Sequence, residues 1–182
     1  MMDEVTFLIR LLSDRWDAAV TSLGSQLPTN HRPLSTGNSA SIKILDIRSL
    51  EPKEGRRVDV DSHSILLVFE DGMSQTNPTI DTVVRNETFN MTVHMRVLHR
   101  RDFSSLTDSR DRLQSIYRIT RYILENNARS PTVYQGGGTS GTVEESAELI
   151  TLTGRSEAND RGKRLLGYKL SVEIKRFGRS TV

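Results

Sequence analysis

The strongest constraint on how this chain folds is the alternation over residues 86–98. Phe89, Met91, Val93, Met95 and Val97 point one way; Thr88, Asn90, Thr92, His94 and Arg96 point the other. A period of two over that length predicts a half-buried strand with one apolar and one polar face, in an antiparallel sheet. The pattern returns near the C-terminus, where Tyr168, Leu170, Val172 and Ile174 alternate with Lys169, Ser171, Glu173 and Lys175. Glu148–Ser156 and Leu166–Arg176 read together as a hairpin around the polar tip Glu157–Arg164.

Two segments carry the helical period instead. From Asp3 to Leu23, Val5, Leu8, Ile9, Leu12, Trp16, Ala19, Val20 and Leu23 fall on one face, with Arg10, Ser13, Asp14, Arg15 and Asp17 mostly opposite. Asp3 and Glu4 suit the positive end of the helix dipole, and Gly24 is a C-terminal stop. A second helix spans about Ser109–Asn127, with Ser109 as N-cap, Leu113, Ile116, Tyr117, Ile123 and Leu124 inward, and Ile119 partly so. Two further strands are expected at Ile42–Leu50 and Ser64–Glu70. The run Ile65–Phe69 in the second is continuously apolar, as in a strand buried on both faces or covered by a helix, and Asp71-Gly72 ends it.

The stretches Ser25–Ser41, Met73–Asp81 and Ser130–Glu145 carry no apolar period and read as loops; the last holds Gly136, Gly137, Gly138 and Gly141. The expectation is therefore an α+β fold: one domain over residues 1–182, a mainly antiparallel sheet of about five strands with two long helices packed on it, and mobile loops near 25–41, 73–81 and 131–146.

Composition narrows the function classes. Among 182 residues there is no cysteine, which excludes a disulfide scaffold, a thiolate metal site and a cysteine nucleophile. A formal charge of +2 argues against a strongly electrostatic nucleic-acid binder. No apolar run is long enough for a membrane helix, and Met1-Met2-Asp3-Glu4 lacks the basic start of a signal peptide.

Motifs for chemistry are weak throughout. The glycine cluster is followed by Thr142-Val143-Glu144 rather than the Lys and Ser or Thr of a phosphate loop. His31, His63, His94 and His99 form no helical i, i+4 pair of the kind that binds zinc. Asp59 with Asp61, and Asp108 with Asp111, are favoured as turn and helix-start charges over a catalytic pair. No Gly-x-Ser-x-Gly elbow occurs, and the acceptor patterns at Asn86 and Asn90 read as chance matches. No residue is assigned a catalytic, cofactor-binding or metal-binding role, and the chain reads as a non-enzyme. One charge bias stands out: from Arg155 to Arg179 there are eight basic residues against Glu157, Asp160 and Glu173. That bias keeps a basic nucleic-acid-binding module as the alternative from another class. The charges are expected to face solvent or a protein partner.

A long amphipathic N-terminal helix, a β-hairpin, a long alternating strand (Thr88–Leu98), a crossing helix (Asp111–Asn127) and a C-terminal hairpin ending Gly167–Ile174 resemble the layout of tail-terminator, or tail-completion, proteins of long-tailed viruses. The resemblance implies a virion protein of the head–tail junction, made in the host cytoplasm. It implies a ring, usually a hexamer, that caps the tail tube, stops its growth and joins it to the neck. The implied partners are other copies of the chain, the tail-tube protein, a neck connector or stopper protein, and DNA passing through the lumen without specific binding. Another head–tail connector or a tail-tube subunit is the neighbouring reading. On this view Thr88, Asn90, Thr92, His94 and Arg96 contribute to the ring interface, and Gly136, Gly137, Gly138 and Gly141 reach assembly partners.

Overall fold

The structure, a computed structural model, describes residues 2–28, 42–46, 64–76, 84–98, 106–160 and 165–179. Helix α1 spans Glu4–Leu23. The Asp3 carboxylate caps it by accepting from the backbone N–H of Thr6 at 3.0 Å and from the Thr6 hydroxyl at 2.8 Å. Gly24 closes it at φ +28°, its N–H donating to the Val20 carbonyl. Strands β1 (Ile42–Asp46), β2 (Ser64–Thr76) and β3 (Val84–Leu98) precede helix α2 (Leu106–Asn126). The short strands β4 (Thr132–Tyr134) and β5 (Val143–Ser146) follow, then β6 (Leu149–Glu157) and β7 (Leu165–Arg179).

The fold is α+β. A five-stranded sheet in the order β1-β2-β3-β7-β6 carries both helices, and β4 and β5 pair separately as a two-stranded ribbon. All pairings in the large sheet are antiparallel except β1 with β2, which run parallel from Ile42 beside Ser64 to Asp46 beside Val68. The hairpin expected at the start of the sheet is therefore formed by β2 and β3. Parallel neighbours need a crossover, and short-range pattern carries no signal for it.

The core lies between the helices and one face of the sheet. Phe89, Met91, Val93, Met95 and Val97 of β3 meet Leu170, Val172 and Ile174 of β7, with Leu66 and Val68 of β2 alongside. From above they are covered by Leu8, Leu12 and Trp16 of α1 and by Leu113, Ile116, Ile119 and Ile123 of α2. Each buried aliphatic side chain contributes roughly 1.5–3 kcal/mol, so this layer dominates stability.

Several expectations are corrected. Asp71-Gly72 does not end β2: it forms a bulge, and the strand runs on through Met73–Thr76, where the lack of apolar period predicts a loop. Residues 77–81, 29–41 and 47–50 lie outside the described residues. The segment from Ser25 opens with a short 3₁₀ turn, and Leu27 is buried, because the chain is still packed on the core there. Ser109 is not an N-cap. The helix begins three residues earlier, and Ser109 is fully buried within its first turns. Ile119 points fully inward. The glycine-rich stretch, expected as a loop throughout, carries two short strands, β4 and β5, on either side of the glycine turn.

Helix α1 buries a wider arc than the expected stripe, because that ribbon packs on its flank. Phe7 and Leu11 are fully buried beside the expected positions. Arg10 and Arg15, expected opposite the core, turn to the ribbon. Arg10 donates to the Tyr134 carbonyl at 2.7 Å and to Glu144 Oε2 at 2.5 Å, and Arg15 donates to the Thr132 carbonyl at 2.7 Å.

Candidate functional site

On β7, Tyr168, Leu170, Val172, Ile174 and Arg176 alternate onto the helix-covered face, so the row has a polar residue at each end. Those two ends hold the most distinctive side-chain arrangements among the described residues.

At the Arg176 end lies a cleft of about 600 Å³, lined by Met2, Asp3, Glu4, Phe89 and Ala147 together with Glu87, Glu145, Ser146, Glu148 and Arg176. The N-terminal turn of α1 supplies one wall; β3, the end of β5 with the two residues that follow it, and Arg176 of β7 supply the others. Arg176 is 8% exposed. Its Nε lies 3.3 Å from Glu4 Oε1 and its Nη1 3.1 Å from Glu145 Oε1, while the guanidinium stacks 4.9 Å from the centre of the Phe7 ring. Its Nη2 has no hydrogen-bond partner among the described residues. Glu145 Oε2 also accepts from the Met2 amide at 3.0 Å. Burial holds the Glu4 carboxyl above its ordinary range; the negative charges of Glu70 and Asp3 add to this, and a backbone hydrogen bond and Arg176 oppose it.

At the Tyr168 end, the exposed Arg155 of β6 rests on two aromatic rings. Its guanidinium carbon lies 4.8 Å from the Tyr117 centroid and 4.9 Å from that of Tyr168, and the rings meet edge to face at 5.8 Å. Arg121, one turn along α2, pairs with Glu125 at 2.7 Å.

The opposite face of the sheet carries the residues singled out by alternation. Thr88 and Arg96 are half-buried and Asn90 is exposed. Thr92 and His94 are not solvated as expected but 5% and 7% exposed. The Thr92 hydroxyl donates to Asp71, the extra residue of the β2 bulge. His94 sits between Leu67 of β2 and Lys169 of β7 in register, with Arg96 Nε 3.5 Å from its Nε2. Gly167 beside it admits no side chain: a Cβ there would lie 2.8 Å from the Ala158 carbonyl, 2.9 Å from that of Met95 and 3.2 Å from His94 Nε2. Burial first, then the positive charges of Arg96 and Lys169, lower the imidazole from its ordinary 6.5 to about 4.

Gly136, Gly137, Gly138 and Gly141 all have positive φ and form the turn between β4 and β5. Gly137 lies against α1, where a Cβ would stand 3.2 Å from Asp14 Oδ1. The structure thus leaves the two expected groups apart: one on the far face of the sheet, the other beside α1.

The two end clusters were missed by sequence reading. The available signal was phase: Arg176 continues an apolar row, so a charged side chain had to be buried and paired. Of the basic stretch, Arg155, Lys169 and Lys175 are exposed while Arg176 is not. Among the described residues no group of three or more His, Asp or Glu could hold a metal ion, and no helix is long and apolar enough to cross a membrane. No protein-family model matches the chain, and no curated protein matches it.

Proposed function

We propose that this chain is a structural subunit of the head–tail junction of a long-tailed virus, resembling tail terminators. Copies close head to tail into a ring, a hexamer by the resemblance, that seats on the last ring of the tail tube, stops its growth and presents its other face to the neck. The observation that carries the reading is that the described residues form an open sheet with two unlike edges. β1 is short and parallel to its neighbour, whereas β6 is longer, antiparallel and exposed over Thr153–Glu157. A closing head-to-tail ring needs two different surfaces on each subunit, and unpaired strand edges are ready templates for one. The element order supports the resemblance, and the parallel start of the sheet departs from it. Thr88, Asn90 and Arg96 remain accessible for a ring contact, and the glycine turn for an axial one.

Light scattering of the purified chain over a concentration series, alone and with isolated tail tubes, tests this. The expected result is a ring near a hexamer, or a monomer that becomes one ring on the tube end. A tail-tube subunit would instead grow long polymers. A monomer indifferent to tubes and retained on DNA at physiological salt overturns the reading in favour of a nucleic-acid module.

A further inference from the structure

We infer that the two ends of the helix-covered face are each other's partners in neighbouring molecules: Arg155, carried on Tyr117 and Tyr168, enters the acidic cleft of a second copy of this chain. The inference deepens the reading of the chain as a ring subunit and rests on it. Tyr168 and Arg176 stand eight residues apart on one strand, roughly 26 Å at about 3.3 Å per residue. One molecule therefore cannot bring its own Arg155 to its own cleft; the contact joins two molecules, and repeated head to tail it closes a ring.

The chemistry matches from both sides. Arg155 is exposed, yet its guanidinium is held by two rings, so little freedom is lost when it docks. Arginine and tyrosine are also the residue types that dominate interface energetics. The receiving cleft has five carboxylates and one guanidinium in its lining, with Phe89, Met2 and Ala147 as apolar wall for an arginine stem. Glu70 lies close enough to raise the Glu4 carboxyl, which makes this end more acidic still. Arg176 offsets one of those five charges through Glu4 and Glu145, and the lining stays net acidic. Met73, 50% exposed and paired in register with Phe89, adds an apolar rim that burial would cover.

Charge reversal tests the pairing. Arg155→Glu and Glu148→Lys change exposed side chains at opposite ends of the face, and circular dichroism checks that each variant is folded; Arg155→Gln serves if the first is not. Each variant alone is expected to lose self-association by about thirty-fold or more in light scattering. Mixed one to one, they should pair. The retained Arg155 of one meets the unaltered cleft of the other, so the mass doubles; the reverse contact sets an acid at position 155 against a cleft that keeps four carboxylates beside two cations, so growth stops at the pair. Arg155→Glu assembling like the parent overturns this inference and leaves the ring reading intact. A parent chain that stays monomeric with and without tubes overturns both. Variants that fail alone and fail mixed, or an Arg155 whose loss removes DNA retention but not assembly, overturn the pairing.

Discussion

At the scale of single residues, His94 shows how one position departs from its pattern. Alternation places it on the polar face, and it is there, but buried between Leu67 and Lys169 with Arg96 alongside. Charging it would add a third cation to a site with little solvent, so burial and its two basic neighbours lower its pKa to about 4 from an ordinary 6.5. Between those two values the unfolded chain binds a proton that the folded chain refuses. Stability from this group is therefore complete above the unfolded value and declines as pH falls toward the folded one. Urea midpoints measured at about pH 7 and about pH 4.5 should show that decline, and His94→Gln should reduce it. An unchanged pH dependence in the variant would assign it to other groups.

At the scale of elements, the ribbon β4–β5 carries the clearest lesson. A run of glycines has high backbone entropy and reads as a mobile loop. Here the entropy is offset by anchors from another element: Arg10 to Tyr134 and Glu144, Arg15 to Thr132, and the Met2 amide to Glu145. The ribbon in turn covers α1 and leaves Val143 exposed at its edge. Arg10→Ala is expected to cost about 1 kcal/mol, since the pair is partly solvated and one backbone carbonyl loses its donor. The larger effect should be local. Limited proteolysis within residues 135–142 should accelerate while cleavage elsewhere stays as in the parent, because an element held by few contacts opens below the global unfolding free energy. Equal cleavage rates would show that Arg10 does not hold the ribbon.

At the scale of the whole molecule, both helices and the five strands share one apolar layer, so they should unfold together. The chain's single tryptophan, Trp16, is fully buried at the centre of that layer. Its fluorescence and the far-ultraviolet circular dichroism of the backbone should therefore trace coincident urea transitions. Separate midpoints would divide the chain into independent units. The same layer leaves the Arg155 and Arg176 ends of its sheet face uncovered by further core, which is where the charged clusters have room to form.

Elements whose faces are set locally are legible in the amino-acid sequence alone. The alternation of Phe89–Val97 and Tyr168–Ile174 defined β3 and β7, and the helical period defined α1 and most of α2, because one apolar face repeats at a fixed interval. Features that depend on neighbours distant in sequence emerge from the folded chain. The parallel pairing of β1 with β2, the burial of Thr92 and His94 and the wider buried arc of α1 belong to that group. So do the clustering of Arg176 with Glu4 and Glu145, and the stacking of Arg155 on Tyr117 and Tyr168. Each joins residues from separate elements, and local periodicity records which way a side chain points but not what arrives to meet it.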